Sequence, residues 1–295
     1  MKEDGGTKMN CEGIDTAARI SAQAAEVLRS EGKTFAGRYL GSPTLGKTIS
    51  PAEAEDIRTA GLGILLFYEI SGTEMKNGAA PGAAHGADAR KWADELGVPE
   101  GTAIYFAVDY EPESGEYGAV EAYIRAAGAA LGKKYRCGMY GCYSLVEAMA
   151  QRGACEKFCQ CSAWSYGRLS AHADAYQYQH QGGAEAMALA MKTGFAVDLT
   201  RCTQAAGLWP AKYIKYDEDD GGATYEPQSG AAAQPWYAEA MAWAKANGII
   251  NDGRPNDSLT RAEMATIMQR MDKRVEEKIK RALPEDDSIG GLIAD

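Results

Sequence analysis

The chain is short of metal-binding side chains: it has three histidines, His85, His172 and His180, and its seven cysteines form no CxxC pair. A Cys/His zinc site therefore has no recognisable spacing to rest on, and an odd cysteine count does not suit a disulfide framework. The thiols read instead as small buried hydrophobes in a chain made in a reducing cytosol. No apolar run reaches bilayer length, and the opening MKEDGGTKMN lacks the apolar core of a secretory signal. Residues 1–10 read as a leader. Positive charge is also scarce, with 31 Lys and Arg against 41 Asp and Glu and a formal net charge of -10. Phosphate backbones need clustered Lys and Arg, which argues against nucleic acid as a partner. No glycine-rich phosphate loop follows the first apolar run, where GIDTAARIS stands, which argues against an open doubly wound sheet, the runner-up architecture. Neither a cofactor nor a metal is expected.

What is present is a rhythm of short apolar runs alternating with amphipathic helical patterns. The strand candidates are 13–15, 35–40, 63–70, 103–111, 137–141, 158–164, 175–179 and 195–199. Helical patterns cover 17–30, 50–60, 86–96, 116–131 and 144–152, while the last two connections are less clearly helical. Strands alternating with helices imply parallel pairing, because each crossover returns the chain across the sheet. The expected fold is α/β: a (β/α)8 TIM-type barrel over residues 11–208, with its site at the C-terminal ends of the strands.

Those ends carry Asp15, Arg38, Tyr39, Glu69, Asp109, Glu111, Tyr140, Trp164, Gln177, Gln179 and Asp198. A lone acid at a strand end is usually a solvated one, but five acids converging on one mouth raise one another's pKa values, at a cost in stability. On a strand that continues to residue 111, Asp109 and Glu111 point the same way, roughly 7 Å apart. Glycosidic cleavage needs an acid to protonate the leaving oxygen and a carboxylate to stabilise or attack the developing cation. Glu111, the outer member, suits the first role and Asp109 the second. Tyr68, Tyr140, Trp164 and Tyr166 offer flat faces for sugar rings, and Glu69, Gln177 and Gln179 offer polar contacts.

GIDTA, FAVDYE and FAVDL together resemble glycoside hydrolase family 25, the barrel muramidases. The ordered set GID, GRYL and VDYE is still more similar to the bacterial glycoside-hydrolase-like domain family of unknown function 1906. The resemblance covers about residues 11–205. It implies Glu111 as general acid, with Asp109, Asp15 and Asp198 as supporting carboxylates and the substrate's own N-acetyl group as nucleophile. It also implies a lysin made in the cytoplasm that acts on peptidoglycan of the bacterial cell wall after release. The first strand lacks the S..Q continuation of family 25, and Glu69 has no counterpart there. A non-catalytic wall-binding protein is the alternative.

Residues 209–234 read as an acidic, glycine-rich linker. A small α-helical hairpin domain is expected at 235–283, where WYAEAMAWAKANGIINDG and LTRAE resemble an S-layer homology repeat. That resemblance implies wall binding or a homo-oligomer built through this module. Residues 284–295 read as a disordered tail.

Overall fold

The computed structural model describes residues 9–212 and the short paired strands Ile214–Tyr216 and Ala223–Tyr225. The first eight residues, the S-layer-like module and the tail lie outside the described residues. Eight strands close into a barrel. In chain order the elements are β1 (Cys11–Asp15), α1 (Ala22–Ser30), β2 (Phe35–Leu40), α2 (Pro51–Thr59), β3 (Gly63–Tyr68), α3 (Ala79–Leu96) and β4 (Ala103–Ala107). They continue with α4 (Tyr117–Leu131), β5 (Arg136–Gly141), α5 (Tyr143–Arg152), β6 (Lys157–Cys161), β7 (Ala175–Gln179), α6 (Ala184–Thr193) and β8 (Asp198–Cys202).

The strands form where the sequence is apolar on both faces, as parallel strands under a helical layer require: every residue of β3 and β4 is buried. Serine caps start the first helices. Ser21 accepts from the Ala24 N–H and Ser50 from the Glu53 N–H, with Pro51 preset in the first turn of α2. Inside the barrel, Phe67 packs on Tyr39, Tyr105 and Tyr140 with ring centres 5.7, 6.0 and 5.9 Å away. Trp209 stays on the barrel after β8, bridging Ile64 through two backbone hydrogen bonds of 2.8 and 2.9 Å.

The barrel departs from eight parallel units in two places. β6 and β7 are parallel neighbours joined without a helix, and β8 runs antiparallel to both β7 and β1. From the end of β7 the chain passes through four residues, α6 and four more before β8 begins, and it returns to the mouth it left. The reversed strand therefore starts, rather than ends, at the mouth. Asp198 still arrives there, directly opposite Asp15.

Arg38 does not face the mouth. Fully buried, it lies outside the barrel, where its guanidinium meets Glu53 at 2.7 Å and the Thr16 carbonyl, while Glu53 also accepts the Ile20 N–H at 2.8 Å. This buried ion pair ties β2 and α2 to the segment between β1 and α1.

Candidate active site at the barrel mouth

A pocket of about 220 Å³ opens at the mouth. Asp15, Glu69, Asp109 and Asp198 line it, with Tyr39, Phe67, Tyr140, Gln177 and His180. Asp15 forms the floor at 3% exposure. Gly37 beside it on β2 is required, because a Cβ there would stand 2.5 Å from the Asp15 Cβ. The Gln177 amide donates to both Asp15 oxygens at 3.1 Å and to Asp198 at 3.3 Å, and the Thr200 hydroxyl donates to Asp15 at 2.6 Å. Tyr140 fixes Gln177 by donating to its carbonyl at 2.9 Å.

Burial and the facing Asp198 push the Asp15 carboxyl up to about 7, against the opposing hydrogen bonds from Thr200 and Gln177. Burial also raises Asp198, opposed by the Gln181 N–H that donates to it at 2.6 Å. Asp109 is raised by desolvation, with the Lys47 charge pulling the other way. Lys47 pairs with Glu69 at 2.8 Å and lies 4.7 Å over the Tyr39 ring. One cation thus faces several carboxylates.

The acids expected on one strand face are separated. β4 ends at Ala107; the Val108 N–H still bonds Tyr140, but the Asp109 N–H turns to the Gly72 carbonyl at 3.2 Å. Gly72 adopts φ 78°, and a Cβ there would meet Asp109 at 2.9 Å. Asp109 lines the pocket, whereas Glu111 stands exposed in the loop beyond it and does not line it. Its partner is the Tyr166 hydroxyl, which donates to its two oxygens at 3.0 and 3.2 Å. The period-two argument fails here because the ladder stops before either acid.

Three other expected contacts do not line the pocket. Tyr68 points outward between the barrel and α3, donating to Asp88 at 2.8 Å and packing on His85 and Phe106. Gln179 accepts the Ala186 N–H at 2.9 Å and so ties the first turn of α6. Trp164 sits in the β6–β7 loop beside the pocket without lining it. Tyr140, Gln177 and Glu69 do line it. Sequence reasoning missed Lys47, His180 and Thr200. Thr200 carries a usable signal, since it shares a strand face with Asp198; Lys47 and His180 sit in loops and carry none. Among the described residues, no group of three or more His, Cys, Asp or Glu is arranged to hold a metal ion.

A closed barrel with carboxylates gathered at its mouth is the arrangement of a glycoside hydrolase-like domain. The chain belongs to the Rv2525c-like, glycoside hydrolase-like domain family, whose model matches residues 26–198. It is 30% identical over 149 residues to the uncharacterized protein FadG of Bacillus subtilis, covering 47% of this chain and 26% of FadG. It is 33% identical over 121 residues to the uncharacterized protein YbfG of the same organism, covering 38% of this chain and 16% of YbfG. The match thus spans about a quarter of FadG and a sixth of YbfG. The fold is similar to the Mycobacterium tuberculosis Tat-secreted protein Rv2525c, solved with L-tartrate: TM-score 0.57 and 23% identity, covering 68% of this chain and 98% of that one.

Proposed function

We propose that the mouth binds and cleaves a glycan of the bacterial cell wall, with peptidoglycan as substrate. The observation that carries this reading is the convergence of Asp15, Asp109 and Asp198 on one pocket, with Glu111 two residues beyond Asp109 in the loop that leaves β4. Glu111 delivers the proton to the leaving oxygen, the role that glycosidic cleavage demands of one carboxylic acid. Asp109 faces the reacting sugar and holds its developing positive charge. Asp15, its carboxyl pushed up to about 7 by burial and the facing Asp198, keeps its proton to higher pH than an ordinary carboxyl and donates a hydrogen bond to a substrate oxygen, while Gln177 fixes its direction. Asp198 completes the floor. The reaction follows the muramidase type, in which the substrate's N-acetyl group supplies the nucleophile. The place of action is the wall, with the C-terminal module as its anchor or as the contact of a homo-oligomer.

A second reading, glycan binding without turnover, is favoured by the position of Glu111 outside the pocket lining, bonded to Tyr166. Purified peptidoglycan separates the two. Under the first reading the protein co-sediments with the wall and the suspension then clears. Under the second it co-sediments and the turbidity stays constant. A protein that does neither contradicts both.

A further inference from the structure

The β6–β7 loop concentrates the unusual backbone of the molecule. Trp164 at φ 52° and Tyr166 at φ 51° are the positive-φ non-glycine residues among those described, and Gly167 follows at 74°. In this left-handed region an L side chain crowds the next carbonyl, whereas glycine sits there without strain. Two bulky aromatics at such positions persist only because the surroundings impose them.

The surroundings do impose them. Gln160, fully buried, donates to the Arg168 carbonyl at 2.7 Å and to the Ser165 hydroxyl at 3.3 Å, and accepts the Ser170 N–H at 2.8 Å. Ser165 in turn donates to the Cys161 carbonyl and accepts the Tyr143 N–H at 2.9 Å. The loop is therefore pinned from beneath while its rings are held outward, Trp164 at 37% exposure and Tyr166 at 79%. Neither ring lines the pocket, although Ala163 just before them does. Tyr166 reaches Glu111, two residues beyond the pocket-lining Asp109, and Trp164 directly follows the pocket-lining Ala163 in the chain. The pocket, at about 220 Å³, is smaller than the roughly 300–1,000 Å³ of sites that enclose a drug-sized ligand. It suits a single sugar ring, so a longer chain extends past it, either toward the β6–β7 loop or toward a second pocket of about 190 Å³ that shares Asp15, Tyr39 and Asp198 with it.

We infer that Trp164 and Tyr166 form a second sugar subsite beside the pocket, a rigid aromatic platform for the next ring of the glycan, and that Tyr166 also positions Glu111. The inference rests on the glycan reading above. Its chemistry is that of a pyranose: C–H groups on one face pack on aromatic rings, and the surrounding hydroxyls stay wet. Preorganisation explains why strain is kept, since a loop already ordered loses less freedom on binding.

Calorimetry with soluble peptidoglycan fragments of one and four sugar units tests the platform. The wild type is expected to bind the four-unit fragment at least about tenfold more tightly than the single sugar. Trp164→Gly and Tyr166→Gly should each erase most of that preference, leave single-sugar binding unchanged, and melt no lower than the wild type because glycine relieves the backbone. Equal affinity of these variants and the wild type for the four-unit fragment overturns the subsite, as does a large fall in melting temperature that marks the rings as structural. Tyr166→Phe keeps the ring and loses the hydroxyl; it should retain four-unit affinity and KM, lower kcat, and shift the pH profile. A wild-type kcat and pH profile in Tyr166→Phe overturns the positioning role. Failure of the wild type to bind any fragment overturns the glycan reading itself and the subsite with it.

Discussion

At the floor of the mouth Asp15 is buried and both its oxygens are hydrogen-bonded, while at the rim Glu111 stands exposed with the Tyr166 phenol as its partner. Strands build the floor: Asp15, Gln177 and Thr200 come from β1, β7 and β8, whose register sets their spacing. Loops build the rim. Under the proposed function the difference divides the two kinds of work a glycan-cleaving site needs: the fixed floor would hold a sugar in one orientation, and the open loop would let a long chain reach Glu111. The floor tolerates crowded carboxylates because neighbouring donors oppose the cost.

Four substitutions break or sharpen this comparison. The largest effect belongs to the rim. Glu111→Gln keeps shape and hydrogen bonding but has no proton to transfer, so turnover should fall about 10²- to 10⁴-fold with binding retained, measured as initial rates against co-sedimentation. The second concerns the ion pair outside the barrel. Glu53→Gln leaves the buried Arg38 guanidinium without its countercharge, and should cost about 3–5 kcal/mol in urea unfolding.

The third is a pH effect at the floor. The Asp15 carboxyl titrates near 3.8 in a model peptide and near 7 in the folded protein. Between those values the unfolded chain has released a proton that the native state keeps, so rising pH favours unfolding across that window. The loss amounts to at most about 1.4 kcal/mol per pH unit. Asp15→Asn should flatten the slope and melt higher than the wild type at pH 8. Asp109 and Asp198, also raised, leave a residual slope of the same sign. An Asp15→Asn melting curve that follows the wild type at every pH would contradict the buried-acid account. The smallest effect tests the outward Tyr68: Tyr68→Phe removes its bond to Asp88, should cost about 1 kcal/mol, and should leave turnover unchanged.

The same contrast between floor and rim separates what the sequence made legible from what it hid. Apolar runs such as GILLFY and AIYFA announce buried strands, and acids after such runs announced Asp15, Asp109 and Asp198 at one mouth. The inner and outer faces of those runs could not be told apart, because Phe67 and Tyr68 are equally apolar and only packing on α3 turns Tyr68 outward. The direction of β8 was hidden as well: it depends on the path of α6, and Asp198 reached the mouth by the opposite end of its strand. Gln179 follows a register shift after Gln177, so alternation no longer predicts its side. Glu111 lies beyond the last ladder bond of β4, where period two no longer applies.

The proposed chemistry is tested most directly by identifying the bond that the wild-type protein breaks in purified peptidoglycan. The digest is divided and assayed for borohydride-reducible sugar ends and for free amino groups. The account predicts that reducing ends accumulate with time while amino groups stay constant. New amino groups without reducing ends would mean peptide cleavage and would contradict it, and binding with neither product would leave a glycan-binding barrel in place of a hydrolase.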